Sequence, residues 1–352
     1  MSQGGLNPVS DSGRPTMRDV AALAGVAITT VSRVVRGVPT VDPALAARVQ
    51  QAADKLGYRP NLTASNLRRS GGRTAMIGML VEDAANPFSA ALIRTVEDAA
   101  RERGIQVLIG SLDEDPVRER ELAESLINRR VDGLVVVPAG QDHSYLMRER
   151  RAGTALVFVD REPRLLDADA VVVDNRRGGI KAVEHLLAAG HRRIAYLGDR
   201  LSIQTAAQRF DGYLHALEVA RIEADEQIVH HGLQSVEDAM RAVKALMGLP
   251  DPPTALFTSQ NLVTIGAART LHELRLSGSV AVIGFDDFPM ADIFQPGITV
   301  LAQDIDAIGR KAAEILFRRL DGDESPTQTI TVPTSLLERG SGEIRIGEPV
   351  GD

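Results

Sequence analysis

The sequence predicts an α/β protein with an all-α head, followed by a body of two lobes that are each built on a doubly wound parallel sheet. Residues 16–60 contain three short amphipathic helical patterns separated by glycines. From residue 74 onward, short β-branched and aliphatic runs alternate with helical patterns, which is typical of parallel strands joined by helices. About 270 residues of this pattern are too many for one such sheet, so two lobes with a cleft between them are expected.

The three head helices have recognisable starts and stops. The first begins with the capping-box pair Thr16 and Asp19 and stops at Gly25. The second runs over residues 28–36. The third spans residues 42–57, with an aspartate N-cap, a proline in its first turn and a final glycine. The first two, joined by a short glycine turn, have the pattern of a helix-turn-helix, although an ordinary helical hairpin would look similar.

The body elements follow from the change of hydrophobic period. The predicted strands span residues 75–81, 106–109, 134–137, 155–159, 170–173, 194–197, 255–258 and 280–283. The predicted helices between them span residues 89–103, 117–128, 178–189, 209–219, 236–247 and 262–274.

Charge is unevenly distributed along the 352 residues, whose net charge is -7. Residues 1–73 contain ten basic and four acidic residues, whereas the remainder contains 30 basic and 43 acidic ones. A basic head on an acidic body suggests that the head binds nucleic acid. Residues that can read base edges in a major groove lie early on the second helix: Ile28, Thr29 and Arg33. Residues better placed for phosphates are Thr30, Ser32 and Arg36.

Several classes of protein are disfavoured. The chain has no cysteine, which excludes disulfides and thiolate chemistry. No phosphate loop, dinucleotide fingerprint or nucleophile elbow is present, and the histidines lack metal-ligand spacing, so we expect neither an enzyme nor a cofactor or metal. The first fifteen residues are polar, without a secretion core, and should form a disordered tail. We expect a cytoplasmic protein without membrane contact.

Motifs along nearly the whole chain resemble those of the lactose/purine repressor (LacI/GalR-type) family of bacterial transcription regulators. The head motifs are TMRDVAALAGVAITTVSRVVRG (16–37) and LGYRPN (56–61). The body motifs are NPFSAAL (86–92), VFVDREP (157–163), VVVDN (171–175), HLLAAGHRRIAYLGD (185–199), QRFDGY (208–213), VIGFDDF (282–288) and ITVLAQD (298–304). They occur in the family's order from residue 16 to about residue 340.

The resemblance implies an organisation and a set of partners. Residues 16–60 would be the DNA-binding domain and residues 61–73 a hinge helix and linker, with Asn61 on the DNA backbone and Leu67 as a minor-groove wedge. Residues 74–345 would be a periplasmic-binding-protein-like effector and dimerisation domain. Its DNA-proximal lobe would comprise residues 74–174 and 304–330, and its distal lobe residues 175–303 and 331–345. A homodimer would bind a near-palindromic operator.

The effector is expected between the lobes, at the carboxyl ends of the strands. The candidate contacts are Phe88, Arg161, Asp174, Thr205, Arg209, Gln260 and Asp286. The resemblance supplies Arg161, Arg209 and Asp286, although Arg209 and Asp286 could merely pair with each other. Carboxylates that accept from hydroxyls and a forked guanidinium suit a sugar or polyol.

Five positions depart from the family pattern. Ala27 replaces a serine, Arg36 an asparagine and Ser65 a basic or amide residue, while Gln260-Asn261 replaces Asn-Asp. The last change puts a standard hexose contact in doubt. The sequence therefore predicts a sequence-specific transcriptional repressor under allosteric control by a sugar-like effector. The alternatives are a solute-binding protein of the same body fold, or a regulator that responds to a nucleobase or a partner protein. Effector identity, inducer or co-repressor action, the operator, its genes and tetramer formation stay open.

Overall fold

The structure, a computed structural model, describes residues 15–35, 38, 40–59 and 73–346. It divides into two units, residues 1–75 and residues 76–352. The predictions for Arg36, Asn61, Ser65 and Leu67 lie outside the described residues, as do those for the tail and for nearly all of the hinge. Within the described ranges, no helix is both long and apolar enough to cross a membrane.

The head consists of α1 (Met17–Ala24), α2 (Ile28–Val35) and α3 (Pro43–Leu56). The main-chain N–H and the hydroxyl of Thr16 donate to Asp19 Oδ2 at 2.8 and 2.7 Å. Gly25 ends α1 in the left-handed region, with φ 62°. Small aliphatic side chains from all three helices form the buried core: Val20, Ala21, Ala24, Val31, Val49, Ala52 and Ala53. The three predicted head helices are therefore confirmed.

The body contains two six-stranded sheets. The first has the order β11-β5-β4-β3-β1-β2 and the second β12-β10-β9-β8-β6-β7. The strands are β1 (Met76–Val81), β2 (Gln106–Ser111), β3 (Gly133–Val136), β4 (Ala155–Asp160), β5 (Asp169–Val173), β6 (Ile194–Leu197), β7 (Val229–His230), β8 (Ala255–Thr258), β9 (Ala281–Phe285), β10 (Thr299–Gln303), β11 (Thr329–Val332) and β12 (Thr334–Leu337). All pairings are parallel except β10 with β12.

Helices cover both faces of each sheet, which confirms the doubly wound α/β prediction. They are α4 (Pro87–Glu102), α5 (Pro116–Asn128), α6 (Met147–Arg151), α7 (Asn175–Ala188), α8 (Gln204–Val219), α9 (Val236–Met247), α10 (Asn261–Glu273) and α11 (Ile305–Leu320). In the first lobe α4 and α11 pack on one face of the sheet, and α5 packs on the opposite face. In the second lobe α7 and α8 cover one face, and α9 and α10 the other. Leu92, Ile93 and Val96 of α4 are part of the first lobe's core.

Strands β7, β10, β11 and β12 were not predicted from the sequence. Strand β7 has only two residues, and β11 and β12 are edge strands with several exposed residues, so these three lack a continuous apolar run. The last crossing between the lobes was predicted at residue 330. Strand β11 instead stays paired with β5 to Val332, and β12 pairs with β10 from Thr334. The chain thus changes lobe at Pro333, where a residue that lacks an N–H donor separates two strands.

Candidate functional site

The exposed face of α2 carries the residues predicted to contact base edges. Ile28, Thr29 and Arg33 are exposed, and Ile28 leaves 42% of its surface accessible. Thr30 and Ser32, predicted to contact phosphates, are half-buried. The helix thus presents apolar, hydroxyl and cationic groups together at the surface of the head.

Arg48, one of the basic residues of the head, is engaged within the fold. Its Nη2 donates to the carbonyl oxygen of Ala24 at 2.6 Å, at the carboxyl end of α1. The last carbonyls of a helix lack intrahelical donors, so this bond stabilises the turn before α2. Arg48 itself stays exposed, so its charge still contributes to the positive potential of the head.

A cleft of about 490 Å³ lies between the lobes, where the carboxyl ends of parallel strands from both sheets meet. Most of its walls are polar. It is lined by Glu82, Asn86, Phe88, Asp160, Arg161, Asp199, Ile203, Thr205, Ala206, Arg209, Ser259, Gln260, Asn261, Asp286 and Gln303.

Two aspartates are held in a rare backbone conformation on opposite walls of the cleft. Asp160, at the end of β4, has φ 69°, and Asp286, directly after β9, has φ 72°. The left-handed region costs a non-glycine residue about 1–3 kcal/mol, and such residues are concentrated at functional sites. Each is only 8% exposed. The backbone therefore turns one buried carboxylate from each lobe toward the cleft.

Arg209 of α8 is fixed by three acceptors and an aromatic ring. Its Nε donates to Asn175 Oδ1 at 2.8 Å, and its Nη1 donates to the carbonyl oxygen of Ser259 at 2.7 Å. Nη1 also lies 3.3 Å from Asp286 Oδ2, and the guanidinium carbon is 3.8 Å from the centroid of the Phe285 ring. The pairing of Arg209 with Asp286 that the sequence left open is therefore present, while both side chains still line the cleft.

Arg161 is held in the first lobe by a buried fork. Nη1 and Nη2 donate to the two carboxylate oxygens of Glu114 at 2.8 and 2.5 Å, and Nη1 also donates to the carbonyl oxygen of Pro138. Nε lies 3.4 Å from Asp160 Oδ2. Arg161 and Glu114 side chains are 9% and 6% exposed. Arg161 thus enters the cleft with its charge balanced.

The loop after β3 that supplies the Pro138 carbonyl is itself anchored by Glu119. Glu119 Oε2 accepts from the main-chain N–H groups of Ala139 and Gly140 at 2.6 and 2.8 Å. Its Oε1 accepts from the Tyr145 hydroxyl at 2.8 Å. Since Glu119 is only 1% exposed, this buried carboxylate needs all three donors.

Three carboxyl groups that line the cleft have raised pKa values. Burial raises the pKa of Glu82 to about 8, with the Glu114 carboxylate adding to the shift and Arg161 opposing it. Burial also raises the pKa of Asp160 and of Asp199. Neighbouring carboxylates add to each of these upward pKa shifts, which shows that acidic groups are concentrated in the cleft.

Amide groups join the two lobes at the edge of the cleft. Asn261 Nδ2 donates to Asn86 Oδ1 at 3.0 Å, and that oxygen also accepts from the N–H of Phe88, as the N-cap of α4. Two further cross-lobe bonds run from Gln141 Nε2 to the Ser202 carbonyl oxygen at 3.0 Å and from the Glu162 N–H to Gln204 Oε1 at 2.8 Å. The lobes are thus closed on each other by direct hydrogen bonds.

The structure brings six of the seven candidate effector residues to the cleft: Phe88, Arg161, Thr205, Arg209, Gln260 and Asp286. Asp174 is the candidate that the structure does not bring to the cleft. Asp174 Oδ1 accepts from the N–H of Arg177 at 3.0 Å as the N-cap of α7, and it is not among the lining residues. Gln260 uses its amide within the second lobe, donating to the Leu233 carbonyl oxygen at 2.8 Å.

Several polar residues of the site were not among the candidates predicted from the sequence: Glu82, Asn86, Glu114, Asp160, Asp199, Ser259 and Gln303. The strand-end rule could have found Glu82, which directly follows β1. Gln303 ends β10, a strand that was not predicted. Glu114 reaches Arg161 only through the tertiary fold, so spacing along the chain carried no signal for it.

Two family models match the chain. Residues 16–61 match the bacterial regulatory proteins of the lacI family, and residues 183–342 match a periplasmic binding protein-like domain. The chain is similar to the HTH-type transcriptional regulator PtxS of Pseudomonas aeruginosa, with 36% identity over 334 residues, 94% of this chain and 96% of that protein.

Two further similarities extend over the head and the body. The ribose operon repressor of Escherichia coli K12 is 32% identical over 330 residues, which is 93% of this chain and 99% of the repressor. A solved transcriptional regulator CelR–cellobiose complex is 31% identical with a TM-score of 0.66, and the match covers 93% of this chain and all of that one.

Proposed function

Because the chain belongs to the lacI family of bacterial regulatory proteins, and is thus a DNA-binding transcriptional regulator rather than an enzyme, we propose that it represses transcription under the control of a sugar-like effector. The observation that carries the effector proposal is the meeting of Asp160, Arg209 and Asp286 in one closed cleft. Paired carboxylates and a forked cation match the donors and acceptors of vicinal hydroxyls. The related cellobiose complex supports this ligand class.

The head would bind the operator through α2. Exposed Ile28, Thr29 and Arg33 would contact base edges in the major groove, with Thr30 and Ser32 near the backbone. A near-palindromic operator requires two heads related by a two-fold axis, so we infer a cytoplasmic homodimer.

Effector control would act by linkage. A ligand that contacts both lobes favours their closed arrangement. It would strengthen operator binding if the closed arrangement binds DNA more tightly, and weaken operator binding if the open arrangement does. Couplings of this kind are typically about 1–3 kcal/mol, which corresponds to a 5- to 150-fold change in operator affinity.

The proposal is tested by a thermal-shift screen of the full chain against sugars, polyols, sugar phosphates and nucleobases, followed by retardation of a palindromic duplex with each hit. Asp286→Ala should abolish the shift from a sugar or polyol. Asp174→Asn, which keeps the α7 cap, should leave it intact. If only nucleobases shift the melting temperature, the sugar-like effector is wrong, while the role as a transcriptional regulator is unaffected. Failure of the chain to retard any operator-like duplex selected from random DNA would overturn the repressor.

A further inference from the structure

Two acceptors of the cleft lack donors, the Glu82 carboxylate and the side-chain oxygen of Gln303, while the Ser259 hydroxyl and Arg161 Nε also lack hydrogen-bond partners among the described residues. The carboxylate of Glu82 has no hydrogen-bond or ion-pair partner among the described residues. Gln303 is only 9% exposed; its Nε2 donates to Asp286 Oδ1, which leaves its buried Oε1 without a partner in the described part of the chain. A buried acceptor without a donor costs about 1–3 kcal/mol. The ligand is therefore expected to bring donors.

Charge in the cleft points the same way. The lining holds the carboxylates of Glu82, Asp160, Asp199 and Asp286 against the guanidiniums of Arg161 and Arg209. Glu114 adds a fifth carboxylate directly behind Arg161. Both guanidiniums already lie within ion-pair distance of carboxylates, so neither is a free cation for an anionic ligand. An acidic ligand would meet a surplus of like charge in a site of low dielectric.

Glu82 and Asp199 belong to different lobes. Glu82 follows β1 of the first sheet, and Asp199 lies just after β6 of the second. The two groups interact electrostatically, since Asp199 contributes to the raised pKa of Glu82. When both carboxylates are ionised, their repulsion opposes closure of the lobes. A cation between them would be attracted to both carboxylates and would therefore favour closure.

We propose that the effector is an amine-bearing polyhydroxylated molecule, of the amino-sugar or amino-polyol class, whose ammonium group lies between Glu82 and Asp199. This rests on the proposed function, because it takes the cleft as the effector site. The hydroxyls would face Asp160, Asp286 and the open oxygen of Gln303. Carboxylated and phosphorylated sugars would be rejected.

Binding of the ammonium group should be linked to proton release from Glu82. Glu82 interacts electrostatically with Glu114, Asp160, Asp199 and the Arg161 guanidinium. Burial raises its pKa to about 8. At pH 7 it therefore holds a proton, and an adjacent ammonium favours its ionisation. Binding of an amine that remains protonated up to pH 8, such as an amino-polyol with its nitrogen on a terminal carbon, should release a proton and tighten as pH rises from 6 to 8, whereas an uncharged polyol should show no such trend.

The test uses matched series on the full chain: glucose, galactose, mannose, sorbitol and inositol, each with its amino-deoxy derivative and a carboxylate or phosphate derivative. Thermal shift finds the binders, and calorimetry in two buffers of different ionisation enthalpy measures dissociation constants and proton release. At pH 7.5 at least one amine should bind tenfold or more tightly than its uncharged parent. Glu82→Gln should remove most of that difference and the proton release, and the neighbouring Asp83→Asn, which is exposed and outside the cleft lining, should not.

Absence of a shift with every amine, or parents and acids that bind as tightly as the amines, would overturn the amine proposal. Retention of the tenfold preference in Glu82→Gln would overturn the placement of the ammonium. Operator retardation by the same preparation is a separate readout: uncharged sugars that bind and alter retardation would leave the repressor intact while the amine is rejected.

Discussion

Glu119 shows how a residue remote from the ligand can set the geometry of the cleft. It accepts three strong hydrogen bonds while almost fully buried, and two of them fix the backbone directly after Pro138. The Pro138 carbonyl then orients the Arg161 guanidinium. His143 adds to the cluster: its Nδ1 accepts from the Arg164 N–H at 2.8 Å, and burial lowers its pKa, so it stays neutral at pH 7.

Glu119→Gln is expected to destabilise the protein by about 2–3 kcal/mol, because an amide nitrogen replaces an oxygen that faces only donors. Denaturant unfolding followed by circular dichroism measures this. The same substitution at Glu121, which is exposed on the same helix, should change the unfolding free energy by less than about 0.5 kcal/mol. Equal effects at the two positions would contradict the anchoring role.

At the scale of elements, α7 and α8 approach unusually closely, and this contact places Arg209. An ideal Cβ at Gly179 of α7 would lie 2.5 Å from the main-chain oxygen of Arg209. Gly212, one turn further along α8, meets the backbone of α7 in the same way. Only glycine fits where two backbones touch, so these two glycines determine how far Arg209 reaches toward Asp286.

Gly179→Ala should therefore push α8 outward, with a loss of about 1–3 kcal/mol of stability from overpacking. Effector affinity should fall together with stability, because the guanidinium moves with its helix. Calorimetry on the folded variant, below its melting temperature, separates the two effects. Gly248→Ala is the control, since a Cβ there would be 3.5 Å from its nearest neighbours and should be tolerated. Unchanged affinity in a destabilised Gly179→Ala would show that α8 does not position the site.

At the scale of the whole body, closure depends on few bonds between the lobes. The amide pair of Asn86 and Asn261 is buried, at 7% and 2% exposure, and spans the edge of the cleft. An aspartate at position 261 could not donate to Asn86, and it would add a further charge to an acidic cleft. The departure from the family pattern at this position thus serves the contact between the lobes.

Asn261→Ala should shift the body toward an open arrangement. We expect a 5- to 50-fold weaker effector affinity, because the ligand must then also drive closure, and a smaller effect of the ligand on operator binding. Small-angle scattering should show a larger radius of gyration without ligand. Asn128→Ala, an exposed change at the end of α5, should alter neither quantity. If Asn261→Ala keeps the wild-type radius of gyration and effector affinity, the Asn86–Asn261 pair does not hold the lobes closed.

The head helices, the alternation of strands and helices, and the family could be predicted from the sequence, because caps, glycine stops and hydrophobic period are local properties. Arg209, Asp286 and Arg161 could also be predicted, since strand ends and motifs are readable along the chain. Three features became visible only in the folded protein: Asp174 caps a helix, β11 and β12 divide between the lobes at Pro333, and Glu114 and Glu119 support Arg161. These facts depend on contacts between residues far apart in the chain, which no local pattern encodes. The acidic balance of the cleft likewise arises only when both lobes bring their strand ends together.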